Sequence, residues 1–170
     1  RATVLVSAEV AAKASPDGYI LLVVGTGLWI SPLLQKVPYE LSDFSPLSLI
    51  TRSINIVAVH PALPAKSVTE LIALAREAPG GLNYGSDAVG GRAHLSMEML
   101  KSMARVNIVN VPYKGNAATI AALVGGEVQM TILDAGLLAP HVKSGKVRAL
   151  AVTSAEPSAL APGLPTVAAS

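Results

Sequence analysis

The chain has 170 residues, of which 51% are hydrophobic and 14% are charged, a composition that excludes a disordered chain and suits one domain or two small ones. Its formal net charge is only +2, its 13 Lys and Arg residues are scattered, and aromatic residues make up 4%, so a nucleic-acid-binding surface is not expected. The absence of cysteine excludes disulfides, thiol catalysis and Cys-ligated metals, and it fits either a cytosolic or a periplasmic protein.

The first third of the chain predicts one helix and three strands. Residues 8–15 are small and predict the helix, and the continuous apolar run at residues 19–24 indicates a strand buried on both faces. A short strand is expected at residues 44–49 and another buried strand at residues 54–59. Residues 18–35 carry no charge, but glycines, a serine and a proline interrupt them. This stretch therefore predicts a strand and a loop rather than a membrane helix.

The next helix has clear start and stop signals. After a rigid Pro-rich loop at residues 60–64, Ser67 is a suitable N-cap, and Glu70 three residues later completes a capping box. The Pro-Gly-Gly sequence at residues 79–81 ends the helix.

From residue 82 onward, strands and helices alternate regularly. Strands are predicted at residues 82–85, 107–111, 128–133 and 147–152, and helices at residues 91–103, 117–124 and 136–143. Strands separated by helices of this length indicate an α/β fold with a mainly parallel sheet covered on both faces.

Ligands of open α/β sheets bind beyond the carboxyl ends of the strands. Four loops of this chain fall at such positions: Gly25 with Thr26 and Gly27, residues 86–91, residues 112–116, and Asp134 with Ala135. Because the loops follow successive strands at equivalent points, we expect them to converge on one cleft.

The loop at residues 86–91 is the most distinctive of the four. Its small residues let the backbone approach a ligand closely, and the helix that opens near Gly91 presents free N–H groups and a partial positive charge. The loop therefore predicts a site for an anion, most simply a carboxylate or a phosphate; an ordinary tight turn is the alternative. It matches neither the dinucleotide fingerprint nor the phosphate loop. Its candidate ligand-binding residues are Ser86 (through its hydroxyl), Asp87, Ala88, Val89, Gly90 and Gly91.

Four polar residues near these loops have two interpretations each. Arg92 pairs with a ligand carboxylate, or it is a solvated surface residue, because a cation is unfavourable at a helix N-terminus. Asp134 caps the helix that follows it, or it accepts a hydrogen bond from a ligand hydroxyl, an ammonium or a water. Tyr113 and Lys114 offer a hydroxyl and a charge to the cleft, or they belong to a rigid turn with an exposed lysine.

No catalytic constellation is visible in the sequence. His60, His94 and His141 lack the spacing of a metal site, and neither a Ser-His-Asp arrangement nor a G-x-S-x-G elbow is present. We therefore predict a protein that is not an enzyme, with no metal and no cofactor.

Seven short motifs lie along nearly the whole chain. They are AKASPDGY (residues 12–19), HP with PAKS (60–61 and 64–67), LNY (82–84), VPYKG (111–115), GGEVQ (125–129), PHVKSGKVRALAVT (140–153) and LPTV (164–167). Each is weak alone, but their order and spacing resemble those of the substrate-binding proteins of tripartite tricarboxylate transporters, the Bug family.

The resemblance implies a periplasmic-binding-protein-like, type II, two-lobed α/β fold in which one lobe is complete and the other partial. It places the partial lobe one at residues 1–56, lobe two with its mainly parallel sheet at residues 57–151, and a return segment to lobe one at residues 152–170. The ligand-binding loops would be Gly25 to Gly27 in lobe one, and residues 86–91 with Asp134 in lobe two.

The resemblance also implies a function. The protein would close on a small carboxylate (a di- or tricarboxylate, an aromatic acid or an amino acid) in the periplasm and present it to the membrane permease subunits of the transporter. A sensory or orphan binding module that signals to a receptor is the alternative. No nucleic-acid partner is expected.

The chain departs from the family pattern at the site and at both ends. It has Ala88 where the family usually has Gly, Gly91 where the family has Ser or Thr, and Arg92 where a small residue is usual. The family's first strand and its Pro-Phe and Gly-Gly loop would precede Arg1, and a final helical segment would follow Ser170. With no initial Met and no visible signal peptide, we expect a processed, trimmed or partial chain whose lobe one is incomplete.

Overall fold

A computed structural model describes residues 3–87 and 90–170 of the chain. The chain divides into two compact units, residues 1–50 and residues 51–170. None of the described helices is long and apolar enough to cross a membrane.

The first unit is built from helices. Helix α1 spans Thr3–Ala12, α2 spans Gly27–Leu34, and a short 3-10 helix spans Leu41–Asp43. The unit's small core contains the buried residues Ala8, Leu28 and Tyr39, and the Tyr39 hydroxyl donates a hydrogen bond to the Leu28 carbonyl oxygen at 2.9 Å. The helix predicted at residues 8–15 is therefore present but begins at Thr3, because the apolar residues before Ala8 continue it.

The two strands predicted in the first unit are wrong. Residues 19–24 and 44–49 have irregular backbone, and Tyr19 and Val23 expose 90% and 74% of their surface. A strand is stable only with a hydrogen-bonded neighbour, and the described part of this unit contains no strand for either run to pair with. Leu22 and Val24 are partly buried against the core of this unit, but the other side chains of residues 19–24 are exposed, so the run is not buried on both faces.

The second unit alternates strands and helices as predicted. Its elements are β1 Asn55–Val59, α3 Val68–Glu77, β2 Asn83–Ser86, α4 Arg92–Ala104, β3 Val109–Pro112, α5 Asn116–Gly125, β4 Met130–Asp134, α6 Ala135–Lys143, β5 Arg148–Val152 and a 3-10 helix Val167–Ala169. The predicted strands and helices of this unit are all confirmed in type and order, with ends displaced by at most two residues.

The five strands form one mixed sheet in the order β3-β2-β4-β1-β5. Strand β2 pairs in parallel with β3 and β4, whereas β1 runs antiparallel to both β4 and β5. Four strands thus share one direction and β1 opposes them. The expected mainly parallel sheet is correct only for the β3-β2-β4 part, because a buried apolar strand has the same sequence pattern in either direction.

Hydrophobic cores cover both faces of the sheet. Alternate residues of β1 point to opposite faces, so Val57 and Val59 belong to one core and Ile56 and Ala58 to the other. Helices α3 and α4 contribute Leu71, Met97 and their neighbours to the first core, while α5 and α6 contribute Leu123, Leu138 and their neighbours to the second. Because both faces of the sheet are covered, a binding site is expected at the ends of its strands.

Two sets of hydrogen bonds hold the chain between β1 and α3 in place. Ser67 caps α3 as predicted, because its Oγ accepts a hydrogen bond from the Glu70 backbone N–H at 3.1 Å. The predicted capping box is not completed, because Glu70 Oε2 accepts from the Lys66 backbone N–H at 2.6 Å and not from that of Ser67. The second set was not predicted from the sequence. The Arg148 guanidinium on β5 donates to three carbonyl oxygens of the loop after β1, those of Pro61, Leu63 and Ala65.

Candidate functional site

Three predicted loops and the start of β1 share one edge of the sheet. Because β2, β3 and β4 are parallel, their carboxyl ends lie together, and so do the N-termini of the helices α4, α5 and α6 that follow them. Strand β1 runs the other way, so its first residue, Asn55, pairs with Asp134 at the end of β4. This edge is where the second unit gathers polar groups.

A small cleft of about 30 Å³ lies at this edge, large enough for about two water molecules. Each of the three loops supplies part of its wall. The cleft is lined by Asn55, Asp87, Arg92, Ala93, Asn116, Ile132, Leu133 and Asp134.

The fourth predicted loop belongs to the first unit. No strand precedes it, since residues 20–25 have irregular backbone. Thr26 stands just before α2 and its carbonyl oxygen accepts hydrogen bonds from the backbone N–H groups of Trp29 and Ile30. Gly27 is the first residue of α2, and the Gly25 carbonyl oxygen accepts from the Leu28 N–H.

Ser86 is the last residue of β2 and is fully buried. Its hydroxyl donates a hydrogen bond to Asn110 Oδ1 at 2.8 Å, and its carbonyl oxygen accepts one from the Tyr113 N–H at 2.8 Å. The hydroxyl hydrogen that the sequence analysis assigned to a ligand is therefore used within the protein. In this structure Ser86 fixes the end of β2 against β3.

Asp87 begins the loop and differs from Ser86 in its hydrogen bonding. Its carbonyl oxygen accepts a hydrogen bond from the Gly115 N–H at 3.1 Å, which holds the backbone in place. Its side-chain oxygen Oδ1 is buried at the cleft and has no hydrogen-bond partner within the described residues. A buried polar atom without a partner is costly, so this oxygen must accept a hydrogen bond from a water or from another group that enters the cleft.

The rest of the loop leads into α4. Ala88 and Val89 lie outside the described residues. Gly90 has φ of +78°, a left-handed conformation that glycine adopts without strain, and its N–H donates to His94 Nδ1 at 3.2 Å. Gly91 is the N-cap of α4 and offers no side chain to cap it. The first turn of α4 therefore presents backbone N–H groups without a side-chain cap.

The charged and amide residues of the cleft are partly engaged. Asp134 Oδ1 accepts a hydrogen bond from the Gly136 N–H at 2.8 Å, so Asp134 caps α6 as predicted. Arg92 is exposed, and its Nη1 donates to Ser53 Oγ at 3.2 Å. The side chains of Asn55 and Asn116 make no hydrogen bond within the described part of the chain.

A second polar cluster lies beside the cleft, and the sequence analysis missed it. The hydroxyl of fully buried Tyr84 donates to Glu98 Oε1 at 2.8 Å, and Lys101 Nζ bonds the same oxygen at 2.6 Å. The His94 ring stacks on the Tyr84 ring with 6.5 Å between centroids. The only available sequence signal was the spacing of Glu98 and Lys101, three residues apart on one helix.

Titration of this cluster follows from its contacts. Burial, together with the hydrogen bond to Glu98 and its charge, raises the pKa of Tyr84 well above its ordinary value. Burial also acts to raise the pKa of Glu98, but the hydrogen bonds from Lys101 and Tyr84 and the charges of Lys101 and His94 outweigh it, so this pKa is lowered. The cluster is thus held as a neutral tyrosine beside an ionised glutamate at neutral pH.

Tyr113 and Lys114 stand beside the cleft rather than in its wall. The Tyr113 hydroxyl donates to Glu127 Oε2 at 3.3 Å, and the pKa of Tyr113 is raised by burial and by the Glu127 carboxylate. Lys114 is exposed. Within the described residues, no group of three or more His, Cys, Asp or Glu is arranged to hold a metal ion.

The chain shares its fold with periplasmic binding proteins. A solved structure titled R. palustris Rpa4515 with adipate is 36% identical and superposes with a TM-score of 0.87 over 97% of this chain and 56% of its own. The periplasmic binding protein BugD is 28% identical, with a TM-score of 0.78 over 95% of this chain and 55% of its own. The predicted α/β periplasmic-binding-protein fold is confirmed.

The family follows from the sequence match. The model of the tripartite tricarboxylate transporter family receptor, TctC, matches residues 1–170, so the chain belongs to this family. A UPF0065 protein of Bordetella pertussis is 35% identical over 150 residues, which are 87% of this chain and 46% of that protein. The chain spans about half the length of the curated relatives it matches.

Proposed function

We propose that this protein is a periplasmic solute-binding protein that holds a carboxylate group of a small acid at the cleft of the second unit, without converting the acid, for a tripartite tricarboxylate-type transporter. The observation that carries the proposal is the cleft itself. There the first turn of α4 and the guanidinium of Arg92 present positive potential beside polar groups that lack partners.

Three positive groups at the cleft favour an anion, although the carboxylates of Asp87 and Asp134 also line it. Helices α4 and α5 both begin at this edge, and neither has a side-chain cap on its first turn. Uncapped N-termini carry partial positive charge and free N–H donors. Arg92 adds a full positive charge whose planar donor fork suits a carboxylate.

The comparisons support the class of ligand and the compartment. The neighbour with a TM-score of 0.87 was solved with adipate, a dicarboxylate, and BugD is titled a periplasmic binding protein. The family is a family of transporter receptors, which favours transport over the sensory alternative. The lobe assignment of residues 1–56, 57–151 and 152–170, and ligand contacts from Gly25, Thr26 and Gly27, remain part of the proposal.

The proposal is tested by thermal unfolding with one acid of each expected type: succinate, citrate, benzoate and glutamate, with succinamide as the uncharged control. A ligand at about 100 times its Kd stabilises the folded state by about 2.7 kcal/mol, which raises Tm by several degrees. We expect at least one acid, and not succinamide, to raise Tm.

The matched variants are Arg92→Gln in the cleft and Lys114→Gln, an exposed cation outside its wall. We expect Arg92→Gln to weaken binding about tenfold or more, and Lys114→Gln to leave it unchanged. A protein that unfolds cooperatively and is stabilised by none of the four acids would refute the proposal. If both variants lose the same amount of binding affinity, the carboxylate does not bind at Arg92.

A further inference from the structure

We infer that the cleft selects carboxylates that also carry an N–H or O–H donor, with Arg92 pairing with the carboxylate and Asp87 Oδ1 accepting from the donor. The inference rests on the proposed function and adds the chemical class of ligand to it. It assigns opposite roles to two residues that line the same wall.

Asp87 supplies the first step of the argument. Its Oδ1 is buried without a partner in the described part of the chain, although its own backbone is fixed by the hydrogen bond from the Gly115 N–H. An ionised carboxylate oxygen accepts hydrogen bonds and cannot donate them. The group that satisfies it must therefore be a donor, either a water or a donor group of the ligand, and a bare carboxylate ligand does not have one.

The charge balance of the wall points the same way. Asp87 and Asp134 bring two carboxylates to the cleft, while Arg92 brings one guanidinium. A bare dianion would place its second charge against this excess of negative charge. A ligand with an ammonium or a hydroxyl near its carboxylate places a donor there instead.

Arg92 has further guanidinium N–H groups with which it can bind a carboxylate. A guanidinium carries five N–H donors in a planar fork, and the described hydrogen bonds of Arg92 use one nitrogen, Nη1, toward Ser53. Arg92 also stands in the first turn of α4, where its charge opposes the positive end of the helix. A carboxylate bound beside it would offset both positive potentials.

The two amides complete a mixed polar site. Asn55 and Asn116 each carry a donor and an acceptor in the side chain, and both line the cleft without a described partner. Such a wall can serve a ligand that has donors and acceptors together. A site for a plain dicarboxylate would need donors only.

The test compares three acids with the same four-carbon chain: succinate, which has no donor, malate, which adds a hydroxyl, and aspartate, which adds an ammonium. Calorimetric titration of the purified protein measures Kd for each. We expect malate, aspartate or both to bind about tenfold more tightly than succinate, the size expected for one added charge-assisted hydrogen bond. Equal affinity for all three would overturn the inference and leave the proposed function standing.

The variants assign the preference to Asp87. In Asp87→Ala we expect the preference to disappear, with succinate bound at least as tightly as by the wild type, because a repelling charge is gone. Asp87→Asn keeps an acceptor but removes the charge, so it retains a preference for malate and loses one for aspartate. Glu77→Ala, an exposed acid on α3, is the control and keeps the wild-type ranking.

Two further results would overturn the inference. A preference that survives in Asp87→Ala would show that another group accepts the donor. Absence of binding by all three acids, and by the wider panel above, would remove the proposed function and this inference with it. The ranking of the three Kd values for the wild-type protein tests the inference even if a variant fails to fold.

Discussion

Strand β2 and helix α4 carry two polar clusters that differ in how completely their groups are paired. In the first, Tyr84, Glu98 and Lys101 satisfy one another within 2.6–2.8 Å. In the second, only a few residues along the chain, Asp87 has a buried oxygen without a described partner, and Arg92 uses one nitrogen. The paired cluster stabilises the fold, and the incomplete one is where we propose that a ligand binds.

The largest loss of stability is expected when the Tyr84 ring at the centre of the paired cluster is removed. Tyr84 is fully buried in the core between the sheet and helices α3 and α4. We expect Tyr84→Ala to lower the free energy of unfolding by about 3–5 kcal/mol, measured by urea denaturation. A loss below about 1 kcal/mol would show that this core does not depend on Tyr84.

A milder change, Tyr84→Phe, keeps the ring and removes the hydrogen bond to Glu98. We expect a loss of about 1 kcal/mol at pH 7, because half-exposed Glu98 can bond water instead. The folded-state pKa of Tyr84 lies above its ordinary value of 10.0, so the bond's contribution is complete below about pH 10 and is lost as the pH rises beyond it. The difference between wild type and variant should therefore narrow in alkali.

The same difference should narrow in acid. The pKa of Glu98 is lowered in the folded state, so its contribution is present above the ordinary pKa of 4.5 and is lost as the pH falls through the lowered value. Tyr39→Phe is the control, because the Tyr39 hydroxyl bonds a backbone carbonyl oxygen and not a carboxylate. A difference for Tyr84→Phe that stays constant from pH 7 down to pH 3 would contradict the assigned role of Glu98.

The smallest expected effect is on the incomplete cluster and has the opposite sign. Asp87→Ala removes the unpartnered oxygen, so without ligand we expect the free energy of unfolding to stay level or to rise by about 0.5–1 kcal/mol. Thermal unfolding in ligand-free buffer measures it. A clear loss of stability would mean that Asp87 belongs with the paired cluster as a structural residue.

The second unit was largely predictable because its turns are marked in the sequence. Ser67 and Glu70 start α3, and Gly126 and Gly145 follow the ends of α5 and α6. Helix α4 has no such signal, because its C-cap is Arg105. The reversed direction of β1 had no such marker. It depends on how the chain enters the sheet, and the apolar sequence of a buried strand does not record direction.

Residues 19–24 show a limit of predicting burial from the sequence pattern alone. A continuous apolar run predicts burial only if partners exist to bury it, and partners are a property of the tertiary fold. The same limit applies to Ser86, whose hydroxyl bonds Asn110 on the neighbouring strand. Position after a strand predicted that the three loops of the second unit meet at the edge. It also included the loop at Gly25, which follows no strand, and it did not show which polar groups were already paired.

The position of β1 in the sheet has a consequence for the order in which the protein is made. This strand, Asn55–Val59, lies between β4 and β5, which end at Asp134 and Val152. On the ribosome, its hydrogen-bonding partners are therefore synthesised only after most of the second unit has emerged. Closing such distant pairs is slow, and until then an apolar strand stays unpaired and prone to aggregation. We expect folding of the second unit to begin in the β2–β3 half and to finish when β1 is enclosed between its two late neighbours.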